Sequence, residues 1–92
     1  MKLELETYKV RLFGILLGAN HHEGFLDLID QLHHQGQTKA EIYDLFLDFH
    51  REIQIDPRTK NDEDVYDRLS DFMDGFTAWG KNFKILPHEP DL

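Results

Sequence analysis

Apolar residues recur along the chain at the three-and-four spacing of an amphipathic helix in four separate stretches. In the first, Leu5, Tyr8, Leu12, Ile15, Leu16 and Ala19 fall on one helical face. Leu3/Leu5 and Tyr8/Val10/Leu12 also alternate as a strand would, but no other stretch alternates convincingly enough to pair with them. A lone strand leaves its backbone N–H and C=O groups unsatisfied, so the pattern predicts a helix. Gly14 and Gly18 stand four apart in it, a spacing that would let a neighbouring helix approach closely.

The next two stretches carry end signals. Asn20 followed by Glu23 reads as a capping box opening a second helix, whose stripe is Phe25, Leu26, Leu28, Ile29 and Leu32. His33 and His34 sit in its last turn, where positive charge suits the helix dipole, and Gly36 stands beyond them as a stop. Thr38 and Glu41 form another capping box with only Gln37 between it and the glycine, which predicts an antiparallel helical hairpin. The third stripe, Ile42, Tyr43, Leu45, Phe46, Leu47, Phe49, His50 and Ile53, is too wide for one neighbour and marks the central helix. Asp56-Pro57 ends it, because a residue before proline is driven out of the helical region.

After the polar connection at 57–62, Asn61 or Asp62 can cap a fourth helix with Glu63 and Asp64 in its first turn. Val65, Leu69, Phe72, Phe76, Trp79 and Phe83 then recur as a heptad-like seam, too short for a free coiled coil and suited to packing in a bundle. Periodicity is lost after Gly80, and Pro87 and Pro90 follow. The expected fold is all-α: a compact up-and-down four-helix bundle forming one helical domain over 1–84, with 85–92 an extended tail laid on the surface or free.

Composition narrows the chemistry. In 92 residues, 40% hydrophobic with seven Phe, three Tyr and one Trp, there is material for one modest core and too much apolar content for a disordered chain. The absence of cysteine closes disulfides, Cys-ligated zinc, iron–sulfur clusters and thiol nucleophiles. The longest apolar run, Leu12 to Ala19, is far short of a membrane span, and Glu4 and Glu6 interrupt what would be the basic region of a signal peptide. No membrane partner and a cytoplasmic location are therefore expected.

Candidate sites are few. The six histidines include two adjacent pairs, His21/His22 and His33/His34, at opposite ends of one helix and thus roughly 18 Å apart, too far to share an ion. His50 lies at the inward edge of the third helix, as a hydrogen-bonded core histidine would, and His88 is in the tail. Asp27/Asp30 and Glu41/Asp44 on consecutive helices resemble the carboxylates that all-α nucleotide pyrophosphohydrolases gather around magnesium. Here they lie opposite the apolar stripes, where solvated faces are expected. Ser70 is the only serine and has no nucleophile context, and no glycine-rich phosphate loop exists. No catalytic residue, cofactor or metal is assigned, and the chain is read as a non-enzyme.

Charge carries most of the remaining content. Eighteen acidic against ten basic residues give a formal charge of −8, which opposes binding to nucleic acid. Glu23, Asp27 and Asp30 line the second helix; Glu41, Asp44, Asp48 and Glu52 the third; Asp64, Asp67, Asp71 and Asp74 the fourth. Solubility alone accounts for such stripes; recognition of a basic partner accounts for them equally. The functional expectation is a small acidic protein-binding module, such as an inhibitor or immunity protein that covers the basic cleft of a nuclease toxin. Its expected contacts are Asp44, Asp48, Glu52, Asp67, Asp71 and Asp74, with Tyr43, Tyr66 and Trp79 as aromatic anchors if they reach the surface. The alternatives are a helical homo-oligomer, with a homodimer the simplest form, if Phe13, Leu17 or Leu47 is exposed, and a small metal-dependent hydrolase if carboxylates or histidines turn inward.

Overall fold

The computed structural model describes residues 3–77 and 84–92. It contains four helices, α1 (Leu5–Leu16), α2 (His21–His34), α3 (Lys39–Ile53) and α4 (Glu63–Met73), with a 3₁₀ turn at Asp74–Phe76 directly after α4. There is no strand among the described residues, and the molecule is a small all-α four-helix bundle. The first stretch is helical, as its period predicts.

α3 packs against each of the other three helices, which explains its wide apolar stripe: Ile42, Leu45, Phe46, Phe49 and Ile53 are all buried. Six phenylalanines are buried among the mainly aliphatic side chains of the described core. Phe25 of α2 meets the Phe46 edge at 5.3 Å and Phe72 of α4 at 5.0 Å, while Phe13 of α1 stands edge-on to Phe49 at 5.1 Å. Such offset and T-shaped contacts add about 0.5–1.5 kcal/mol each to the burial itself.

The hairpin between α2 and α3 is built as expected. Gly36 adopts φ +97°, its N–H bonds the His33 carbonyl, and the Gln37 N–H bonds the Leu32 carbonyl, so the last carbonyls of α2 are satisfied by a left-handed residue. Thr38 Oγ1 accepts from the Glu41 N–H while the Glu41 carboxylate accepts from the Thr38 N–H. Asp62 accepts from the Val65 N–H and caps α4. Asn20 differs: it precedes α2, but its side chain makes no capping bond, because ψ of 51° departs from the extended backbone that carries a capping oxygen over the first turn.

Three boundaries depart from the sequence expectation. α3 ends at Ile53, ahead of Pro57, because Thr59 folds back and donates its hydroxyl to the Ile53 carbonyl at 2.7 Å. In the same connection Arg58 donates Nε and Nη2 to the Asp56 carboxylate and lies 4.1 Å over the Phe13 ring. α4 stops at Met73, although Phe72 and Phe76 of the seam are buried; Trp79 and Phe83 lie outside the described residues. The Gly75 carbonyl accepts from the Ile85 N–H and the Phe76 carbonyl from the Leu92 N–H. Residues 85–92, read from sequence as an extended tail, are non-helical, and Ile85 and Leu86 are buried in the core.

Close approach of α1 also falls elsewhere than expected. A Cβ on Gly14 would meet nothing within 4 Å, and one on Gly18 would meet only carbonyls of its own helix end. A Cβ on Gly24 of α2 would lie 2.8 Å from Ile15 Cγ2, so Gly24 is the glycine that seats α2 against α1. Arg68 closes the bundle on the other side, its Nη1 donating to the Leu16 carbonyl at 2.9 Å and bridging α4 to the end of α1. No helix among the described residues is long and apolar enough to cross a membrane.

Candidate functional site

The six acidic residues singled out by their spacing divide into two ridges. His50 marks the edge of α3 that faces α4, since its Nε2 lies 2.9 Å from Ser70 Oγ and its ring 4.8 Å from that of Tyr66. At about 100° per residue, Asp48 and Glu52 are each about 160° around α3 from that edge and Asp44 about 120°. On α4 the same geometry puts Asp67 and Asp71 about 100° and about 140° from Tyr66, and Asp74 opens the 3₁₀ turn beyond them. The α3 ridge therefore points away from α4 and borders α1, and the structure does not gather all six residues on one surface.

Their electrostatic states differ too. Glu52 is half-buried and accepts from Lys9 Nζ at 2.6 Å, a bond that raises the Lys9 pKa above its ordinary value. Asp48 is half-buried and pairs with Arg51 at 3.0 Å. Asp44, Asp67, Asp71 and Asp74 are exposed, and among the described residues no cation stands within ion-pairing distance of them. Asp56, outside the six, is held at about 2 by hydrogen bonds from the Arg58 side chain and backbone N–H. Tyr66 is exposed and Tyr43 half-buried against Phe76, while Trp79 lies outside the described residues.

Carboxylates do not converge inward. Asp27, Asp30 and Asp44 are exposed and Glu41 is committed to the Thr38 cap, so the arrangement expected of a magnesium-gathering hydrolase is not formed by these four. Ser70 has a histidine partner, but the proton is in the wrong place for nucleophile activation. The Gln54 amide donates to His50 Nδ1 at 3.2 Å and to the His50 carbonyl at 3.0 Å, which leaves the neutral ring's proton on Nε2, facing Ser70 Oγ. Burial lowers the His50 pKa and favours that neutral form. A ring donating to the hydroxyl cannot accept its proton, and the pair acts as a clasp between α3 and α4.

The remaining histidines separate as the sequence predicts, with one addition. His21 packs on Phe25 and His22 on Phe72, and burial lowers the His21 pKa. His34 Nδ1–H donates to the Asp30 carbonyl at 2.7 Å. His33, however, meets His88 and Glu89 of the final segment, and one ligand atom from each lies within 4.8 Å of the others. No local spacing announces this cluster, because His33 stands more than fifty residues before the adjacent His88 and Glu89. Comparison with known proteins finds no matching family model, no matching curated protein and no matching solved structure.

Proposed function

We propose that the chain is a non-enzymatic protein-binding module that covers a basic surface on a protein partner, in the manner of an inhibitor or immunity protein seated on a nuclease cleft. The observation that supports it is the acidic ridge of α4 and the 3₁₀ turn after it, where Asp67, Asp71 and Asp74 are exposed with no cation within ion-pairing distance among the described residues. Like charges at such spacing disfavour the helix by about 0.2–0.5 kcal/mol per pair, and a cationic partner reverses that sign. Asp44 is exposed on the α3 ridge, which points away from α4, and Asp48 and Glu52 there are already paired with Arg51 and Lys9, so the contact centres on α4. Complementary fields would speed association and reject acidic competitors.

The test is affinity capture from the native source with the natural protein and with D67N/D71N/D74N, in NaCl from about 50 to about 300 mM. A basic partner whose retention falls with salt and with the triple substitution supports the reading. Recovery of no basic protein, or capture indifferent to both changes, refutes it. A neighbouring toxin-like reading frame would point to the immunity form.

A second reading, association of copies through α1, draws on Val10, 87% exposed, and Leu17, 47% exposed, on one face with Gly14 open between them. Phe13 is buried and Leu47 half-buried, so only Leu17 of the three residues expected to mark such a surface is exposed. Sedimentation as a clean monomer at high concentration would remove that reading.

A further inference from the structure

We propose that His33, His88 and Glu89 form a site for one divalent transition-metal ion of the zinc class. This site is independent of the acidic ridges and rests on three observations. First, the donors are of the right type and almost in place. Zinc–nitrogen and zinc–oxygen distances of about 2.0–2.2 Å at tetrahedral angles set neighbouring donor atoms about 3.3–3.5 Å apart. His33 Nε2 and Glu89 Oε2 are 3.2 Å apart, the His33 and His88 rings stand 5.2 Å apart, and all three donors lie within 4.8 Å of one another. Closing the widest separation takes about 1.4 Å, which rotation of the exposed His88 side chain can supply.

Second, Glu89 Oε2 is shut off from solvent yet has no hydrogen-bond partner among the described residues, although His33 Nε2 is beside it. The carboxylate is half-buried and this oxygen faces His33 Nε2 without a well-formed hydrogen bond, and a metal ion shared with the imidazole would engage both atoms. Third, the backbone is bent to present these residues. Leu86 has φ +48°, the only positive φ of a non-glycine residue among the described ones, and its carbonyl accepts from the Glu89 N–H at 3.0 Å. A branched residue adopts that region only when its surroundings impose it; here Leu86 is pinned in the core and the turn delivers His88 and Glu89 to the last turn of α2. Asp91, 3.3 Å from Lys84 Nζ and 3.9 Å from Lys39 Nζ, holds the segment beyond the turn in place.

Two imidazoles and one carboxylate favour zinc, cobalt, nickel or copper over magnesium and calcium, and three protein ligands leave a tetrahedral position for water. His34 is not part of the set, since its Nδ1 is turned back to the Asp30 carbonyl. The ion would join α2 to residues 84–92 and stabilise the fold by an amount that grows with the logarithm of the free ion concentration above its Kd.

The full chain without an oligohistidine tag is titrated with zinc chloride, and cobalt(II) is used as a spectroscopic probe. Saturable one-to-one binding with a rise in Tm is expected, weakened by at least about tenfold in H88A and in E89Q and unchanged in H34A and in H22A. In the natural protein, imidazole NMR signals of His33 and His88 should shift on zinc addition while those of His21 and His50 stay. Absence of saturable binding, affinity indifferent to H88A, loss of affinity in H34A equal to that in H88A, or imidazole shifts at other histidines only would each overturn the site.

Discussion

Replacing Gly24 and Gly14 by alanine, each in turn, sets two terms of known size against each other. Both glycines are inside helices, where alanine is intrinsically better by about 0.8–1.0 kcal/mol. At Gly14 that gain stands alone, because the added methyl meets nothing within 4 Å. At Gly24 it arrives 2.8 Å from Ile15 Cγ2 and 3.4 Å from Ile15 Cγ1. Isoleucine in a helix has one strongly preferred χ1, so the methyl cannot swing aside, and α1 and α2 must part by about 0.6–0.8 Å to restore ordinary contact. Overpacking of this kind costs about 1–3 kcal/mol, which leaves G24A about 1 kcal/mol less stable than the natural chain and G14A about 1 kcal/mol more stable. For a domain of this size the two variants should differ in Tm by about 8–16 °C. Urea denaturation followed by circular dichroism measures both. In an I15A background the clash is gone, and G24A should then stabilise. Equal stability of G24A and G14A, or a destabilising G24A in the I15A background, would refute Gly24 as the contact that seats α2 on α1.

Three further outcomes can be read from the same kind of melt. Thr38→Ala removes the side-chain half of the α3 capping box and should lower stability by about 1 kcal/mol, with the loss confined to m-independent shifts in midpoint. Asp56, held at about 2 against a usual 3.8, contributes stability that is present above its ordinary pKa and lost as pH falls through about 2; D56N should therefore show a shallower decline than the natural chain across that window. His50 is neutral in the fold and its pKa is lowered by burial, so its contribution is present above pH 6.5 and declines as the solution is acidified below it. H50Q should flatten stability against pH in that range, and an unchanged slope would contradict the buried neutral ring.

What could be read from the chain was local, and what could not was made by distant partners. The Thr38/Glu41 box and the Gly36 stop involve residues three to five apart, and both are present. Asn20, like Thr38, stands three residues before a Glu but has the wrong backbone angle, which is set by how α1 hands the chain to α2. The seam from Val65 to Phe83 promised one long helix, yet the Gly75 and Phe76 carbonyls are taken by N–H groups of Ile85 and Leu92. The acidic spacing correctly placed Asp44, Asp67, Asp71 and Asp74 on exposed positions. It could not reveal that Lys9 claims Glu52, or that His33 would meet His88 and Glu89, since those encounters depend on tertiary packing.

Insertion of Ile85 and Leu86 into the core bears on how the protein is made. During synthesis all four helices emerge before these residues do, and until then the end of the bundle beside Gly75 and Phe76 lacks its covering. The nascent chain thus passes through an interval in which α1 to α4 have emerged but this end of the bundle is open, the kind of surface that recruits chaperones or neighbouring chains. Completion of the core waits on Ile85 and Leu86, which follow all four helices in chain order.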